Sequence, residues 1–209
     1  MEWKEFLIAL EEDTLNRSRG SKDTTKGIAQ LGRLRQKASI LRVSHTADLA
    51  EELISNGYQV AISVEYLKTL DLIKDALIKK NLRVLEFSGR NTGVREQERL
   101  KYQDGLADAI IFSTESSISL HQLNDNDKPR AQINHDLRWS AIEQEQIDGR
   151  SHRNGRHAPV YWCFSAYTIE ERVATILLSK LEAMNTLRGD RNVDFSRIYG
   201  EIIKDYATK

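Results

Sequence analysis

The sequence predicts an α/β fold in three layers: a mainly parallel sheet with helices on both faces and extra helices at both ends. Three observations predict it. Short runs rich in β-branched residues alternate with segments whose apolar residues recur at helical spacing. Turn residues such as Asn56-Gly57 punctuate the change from one period to the other. The 209 residues suit one domain with a buried core, or one domain with an appendage.

The elements follow in order. Residues 3–16 read as an amphipathic helix with Trp3, Phe6, Leu7 and Leu10 on one face. Residues 17–26 are polar and read as a loop. A helix over 27–38 carries Arg33, Arg35 and Lys37, which read as a solvated face. A further helix covers 46–55. The strand at 59–64 is followed by a helix over 66–79, with Leu67, Leu70, Ile73 and Leu77 at helical spacing. A strand at 83–87, a polar helix over 92–103 and strands at 109–112, 131–135 and 160–164 come next. Helices are expected over 141–147, 168–187 and 195–206. The stretch 124–129 is a surface turn. The domain organisation expected is a terminal helix and loop over 1–25, the α/β domain over 26–187 and a helical tail over 188–209.

Functional loops in such sheets gather at the carboxyl ends of the strands. Here those ends are Val64-Glu65-Tyr66, Ser88-Gly89-Arg90, residues 113–119, Asp136 to Trp139, and Ser165.

Charge narrows the functions. The chain has 31 Lys plus Arg and 31 Asp plus Glu, so bulk charge argues for neither nucleic acid nor membrane, and any DNA affinity must be local. Cys163 is the only cysteine, which excludes an intramolecular disulfide and a Cys-rich zinc site. Its neighbours Tyr161, Trp162 and Phe164 suggest an inert buried thiol. His152 and His157 lack metal-ligand spacing and company, so no metal site is expected. No apolar run reaches transmembrane length, and the first residues are not a signal peptide. An intracellular, cytoplasmic protein without a membrane partner is expected.

The chemistry concentrates in Gln146-Ile147-Asp148-Gly149-Arg150-Ser151-His152-Arg153-Asn154-Gly155. Arg150 and Arg153 are three apart, which on a helix puts both guanidiniums on one face. A guanidinium is planar, permanently charged and fitted to phosphate oxygens, and at a neighbour's nucleotide site it can meet the charge growing on a transferring γ-phosphoryl group. Standing alone, such a pair reads as a solvated basic stretch.

The string resembles motif VI of superfamily-two helicases in its chromatin-remodeller-related form, Q-x-x-G-R-x-H-R-x-G. Gln146, Gly149, Arg150, His152, Arg153 and Gly155 fill its fixed positions. Asp136 and Trp139 stand where that branch has an aspartate and a tryptophan. Thr168-Ile169-Glu170-Glu171 resembles its T-I-E-E helix start and is also a capping box. Leu34-Arg35-Gln36, the stretch 59–77, and Gly89 with Arg95 and Tyr102 resemble earlier family segments. The likeness covers about residues 26–187. It departs at motif V, where Ser113-Thr114 fits but Ser116-Ser117 replaces glycines that would allow close backbone approach to phosphate.

The resemblance implies the second RecA-like motor domain of a DNA helicase or translocase. The phosphate loop G-x-x-x-x-G-K-[ST] and the acidic Walker B pair are absent, and in that family they belong to the first motor domain. The chain is therefore expected to be an excised domain, a split-gene product or a stand-alone remnant, inactive alone. ATP with Mg2+ would be bound mainly by the first motor domain, in the same chain or in trans. Arg150 and Arg153 would meet its γ-phosphate, with Gln146 and Gly149 at the same cleft. Ser88, Arg90, Ser113 and Thr114 are candidates for contacts to the backbone of double-stranded DNA. Two other readings stay open. An inactive DNA- or protein-binding module is favoured by the motif V serines and opposed by the intact motif VI. A nucleotide-binding protein with its own site is opposed by the lack of a G-x-G-x-x-G after a strand.

Overall fold

The computed structural model describes residues 23–113, 118–121, 127–152 and 157–188. In chain order the elements are α1 (Asp23–Leu41), α2 (Val43–Ser55), β1 (Gln59–Val64), α3 (Leu67–Lys79), β2 (Val84–Phe87), a 3-10 turn (Gly89–Asn91), α4 (Arg95–Gln103), β3 (Ala109–Ser113), β4 (Arg130–Asn134), α5 (Ala141–Asp148), β5 (Val160–Trp162) and α6 (Ile169–Arg188). The five strands form one sheet in the order β2-β3-β1-β4-β5, and every pairing is parallel. The predicted fold class holds.

Side-chain alternation builds two cores on opposite faces of this sheet. Val60, Ile62 and Val64 of β1 pack with Ala109, Ile111, Ala131 and Ile133 against Leu53 of α2 and Leu70, Ile73 and Leu77 of α3. On the other face Ala61 joins Phe87, Ile110 and Phe112 against Tyr102, Ile118, Leu120 and Ile147. A third cluster joins Leu137 and Ala141 to Val173, Ala174, Leu177 and Leu181 of α6. Burying each large aliphatic side chain stabilises the fold by about 1.5–3 kcal/mol.

Several boundaries differ from expectation. Residues 23–26, read as loop, are already helical, because α1 begins at Asp23. α1 then runs past Ala38 to Leu41, and α2 begins at Val43. Between them Arg42 keeps helical dihedrals and its carbonyl accepts the Thr46 amide at 3.0 Å. α4 starts at Arg95 rather than Thr92, because Ser88 and Asn91 cap each other reciprocally around the 3-10 turn. β5 stops at Trp162, although the Cys163 amide still donates to the Asn134 carbonyl at 2.9 Å. The helices expected over 3–16 and 195–206 lie outside the described residues.

β4 departs from the nearly continuous apolar pattern of a buried parallel strand. Ala131 and Ile133 face the first core. Arg130, Gln132 and Asn134 alternate with them and are also buried. That polar face docks the end of α5 and the turn that carries Arg150.

Candidate functional site

α5 opens at Ser140, whose Oγ accepts the Glu143 amide at 3.5 Å. The helix buries Ala141, Gln144 and Ile147 and leaves Gln146 exposed. It closes at Gly149, whose amide reaches back to the Glu145 carbonyl at 3.0 Å. Gly149 has φ −76°, and a Cβ there would meet the Glu145 carbonyl oxygen at an ordinary 3.5 Å, so the backbone does not itself demand glycine. Arg150 follows half-buried. Its Nη1 donates to the Ile118 carbonyl at 3.1 Å, and its own carbonyl accepts the Leu120 amide at 2.9 Å. Ser151 is buried and His152 exposed. Arg153 and Thr114 lie outside the described residues.

The polar face of β4 holds this turn. Gln132 donates through Nε2 to the Ile147 carbonyl at 2.8 Å and to Asn134 Oδ1 at 2.9 Å, while its Oε1 accepts Ser151 Oγ at 2.8 Å. Asn134 also accepts Ser63 Oγ at 2.9 Å and donates Nδ2 to Asp148 Oδ1 at 2.5 Å. The same Asp148 oxygen accepts Gln144 Nε2 at 2.8 Å, and Oδ2 accepts Trp162 Nε1 at 3.3 Å. Gln144 Oε1 in turn accepts the Arg138 amide at 2.9 Å. Burial outweighs these bonds and pushes the Asp148 carboxyl up to about 6.

A second network occupies the carboxyl ends of β1 and β4, where the chain order reverses across the sheet. Such switch points are where open parallel sheets form their crevices. Arg42 donates to Glu170, to the His135 carbonyl at 2.8 Å, to Asp136 Oδ1 at 3.2 Å and to Ser165 Oγ at 3.4 Å. Asp136 Oδ2 accepts the Glu65 amide at 2.8 Å. Arg35 and Arg138 converge on Glu65 Oε2 at 3.0 and 3.6 Å, and Arg35 also donates to the Leu137 carbonyl. Trp139, half-exposed, lies over the Arg35 guanidinium with its ring centroid 4.6 Å away.

Arg35 therefore corrects the reading of a solvated basic face: Arg33 and Lys37 are exposed, but Arg35 is buried. Trp139 covers that buried cation with the face of its ring. His135 is buried between Thr46 Oγ1, 2.7 Å from Nδ1, and the Ser39 carbonyl, 2.9 Å from Nε2, and burial lowers its pKa. Burial also pushes Tyr66 up to about 12 and raises the Cys163 thiol. Thr168 Oγ1 accepts the Glu170 amide at 3.1 Å, while the Glu171 carboxylate takes the Tyr167 amide at 2.6 Å and holds Tyr167 at φ 59°.

Two of the nucleic-acid candidates, Ser88 and Arg90, lie just past β2 and are already engaged by side-chain partners. Ser88 is buried and donates Oγ to Glu86 at 2.6 Å. Arg90 donates to Glu86 at 2.7 and 3.1 Å and to Asp71 at 2.5 Å. Hydrogen bonds from Arg90 hold the Glu86 carboxyl down at about 2. Ser113 ends β3 and is buried. Among the described residues no group of three His, Cys, Asp or Glu could hold a metal ion, and no helix is long and apolar enough to cross a membrane.

Sequence reasoning missed Arg42, Gln132, Gln144 and Arg138 as organisers of the site, and took Asp148 for a variable motif position. One signal was available: polar Gln132 and Asn134 alternate with apolar Ala131 and Ile133 on the strand expected at 131–135.

Comparison with known proteins agrees with this architecture. No family model matches the chain. Over 107 residues, 48% of the chain, it is 32% identical to Protein strawberry notch of Drosophila melanogaster, and the match spans 6% of that protein. Among solved structures, the Sulfolobus solfataricus SWI2/SNF2 ATPase C-terminal domain matches 80% of this chain and 75% of its own, with 18% identity and a TM-score of 0.56. The C-terminal part of the Fun30 ATPase domain matches 62% of this chain and 43% of its own, with 20% identity and a TM-score of 0.53. S. cerevisiae Dbp5, bound to RNA and ADP BeF3, matches 78% of this chain and 41% of its own, at 14% identity and a TM-score of 0.54. The likeness shows the fold, a RecA-like α/β domain of the kind seen in these C-terminal ATPase domains.

Proposed function

We propose that the chain is the second motor domain of an ATP-dependent DNA helicase or translocase, with residues 26–187 as the motor domain and a separate first motor domain completing the ATPase site. The observation that carries this reading is the docking of the arginine turn. Arg150 follows a helix whose end is tied to the carboxyl ends of β4 and β5, and it is bonded to the segment after β3. A guanidinium held in a fixed place stabilises charge that appears only in the transition state without reorganising first.

In this reading the first motor domain, in the same chain or in trans, holds ATP and its Mg2+. Arg150 and Arg153 approach the γ-phosphate, and Gly149 and the exposed Gln146 line the same cleft. Ser88, Arg90, Ser113 and Thr114 meet the DNA backbone. Arg90 would exchange Asp71 and Glu86 for phosphate oxygens, so its contact is weakened by the carboxylates already there. Double-stranded DNA and a cytoplasmic setting belong to the same proposal. The serines at 116 and 117 favour a second reading, an inactive module that binds DNA or protein.

Supplying a first RecA-like domain that carries a phosphate loop, fused or in trans, and measuring phosphate release with and without duplex DNA separates the two. The motor reading requires DNA-stimulated turnover that neither domain has alone. Binding of the two domains and DNA without turnover supports the inactive module instead.

A further inference from the structure

We infer that Asp148 is a positioning residue that fixes the arginine turn onto the ends of β4 and β5, an inference that rests on the motor reading for its effect on catalysis but not for its geometry. Asp148 is the last residue of α5, two before Arg150. Its two carboxylate oxygens collect three donors from three different elements: Asn134 from β4 at 2.5 Å, Gln144 from its own helix at 2.8 Å and Trp162 from β5 at 3.3 Å. Two of the donors are themselves held. Asn134 is oriented by Ser63 and Gln132, and Gln144 by the Arg138 amide.

The placement is unfavourable for an acid. The carboxyl end of a helix disfavours negative charge. Desolvation costs free energy, and the three donors are neutral. The charged neighbour on its own helix, Glu145, opposes ionisation further, while Asn134 and Trp162 face it from β4 and β5. Such a residue gives geometry rather than stability. Only a carboxylate offers acceptors to all three donors. Asparagine would turn an amide N–H toward one of them and leave two donors facing each other.

The consequence travels along the backbone. Gln132 clamps the Ile147 carbonyl and Ser151 on either side of Asp148 and Arg150. Arg150 then sets the Leu120 amide through its carbonyl and the Ile118 carbonyl through its guanidinium. Loosening Asp148 frees the turn at its middle, and a misplacement of an ångström at a catalytic group is enough to cost roughly a hundredfold in rate.

Two measurements decide. In the chain by itself, amide hydrogen exchange is followed in Asp148→Asn and Asp148→Ala. The Leu120 amide should exchange roughly tenfold faster or more while the amides of β1 keep their protection, since local opening does not require global unfolding. Unchanged protection at Leu120, or equal loosening of β1, overturns the inference. In the chain completed by a first motor domain, Asp148→Asn should lower kcat roughly tenfold or more with little change in the KM for ATP. Arg150→Ala is assayed beside it. If Arg150→Ala loses turnover and Asp148→Asn does not, the positioning role is wrong. If neither loses turnover, the motor reading fails, and the exchange result alone decides the role of Asp148.

Discussion

Arg150 Nη1 lies 3.1 Å from the Ile118 carbonyl oxygen, and the Leu120 amide returns a bond of 2.9 Å to the Arg150 carbonyl. This reciprocal pair joins the arginine turn to the segment after β3. In the proposed reading it is half of a site, since the sequence carries no G-x-x-x-x-G-K-[ST] string to hold ATP. The isolated chain should therefore release no phosphate from ATP with or without DNA. Steady-state turnover of roughly one per second or more on adding DNA would contradict the half-site account.

The Arg42 network makes a stability prediction. Arg42, Asp136 and Glu170 are all buried, and removing one member of such a cluster leaves uncompensated charge. Arg42→Ala should cost about 3–5 kcal/mol in urea unfolding. Lysine should rescue little, because a point charge cannot span acceptors on α6 and on the two segments that follow β4 and β5. A loss of under about 1 kcal/mol would show that solvent replaces the cluster at no penalty.

Stability should depend on pH in two opposed ways. Glu86 is held down at about 2 in the fold, so its contribution is present above the ordinary value of 4.5 and is lost as pH falls from there through about 2. Asp148 is pushed up to about 6 from 3.8, so the folded chain keeps a proton that the unfolded chain releases, and stability falls as pH rises across that window. Neutral, buried His135 acts against Asp148 below pH 6.5, because the unfolded state binds the proton there. The Asp148 effect is thus read as the difference between wild type and Asp148→Asn in denaturant melts. That difference should change between pH 4 and 6 and level off above; a flat difference would contradict the desolvated carboxyl.

The fold was legible because its signals are local: β-branched runs, helical apolar spacing and the Asn56-Gly57 stop each act over a few residues. The arginine turn stood out through the resemblance of the whole string from Gln146 to Gly155 to a family motif, since two arginines alone read as a solvated stretch. What positions it was not legible. Arg42 reaches residues more than ninety positions away, and no short-range pattern marks such a pairing. Gln132 and Asn134 look like a solvated strand face, and only docking of α5 explains their burial. Arg35 was misplaced for the same reason, since its partners Glu65 and Trp139 come from distant loops.

DNA affinity should be weak and independent of sequence, and should fall as salt rises. The net charge is zero, and Arg90 is already paired with Asp71 and Glu86. Fluorescence anisotropy with unrelated duplexes at several salt concentrations tests this, and Arg90→Ala should reduce the salt slope by about one or less. Tight binding that discriminates sequences, or indifference to salt, would reject the proposed backbone contacts.

The central claim is that Arg150 and Arg153 act on a γ-phosphoryl group held by a first motor domain. The decisive measurement is kcat and KM for Arg150→Ala and Arg153→Ala in the completed motor, with folding verified by circular dichroism. The account predicts that kcat falls about a thousandfold while KM for ATP changes far less, because the guanidiniums meet charge that grows in the transition state, and that lysine at either position restores little of it. Turnover within a few-fold of wild type in a folded double mutant would contradict the account.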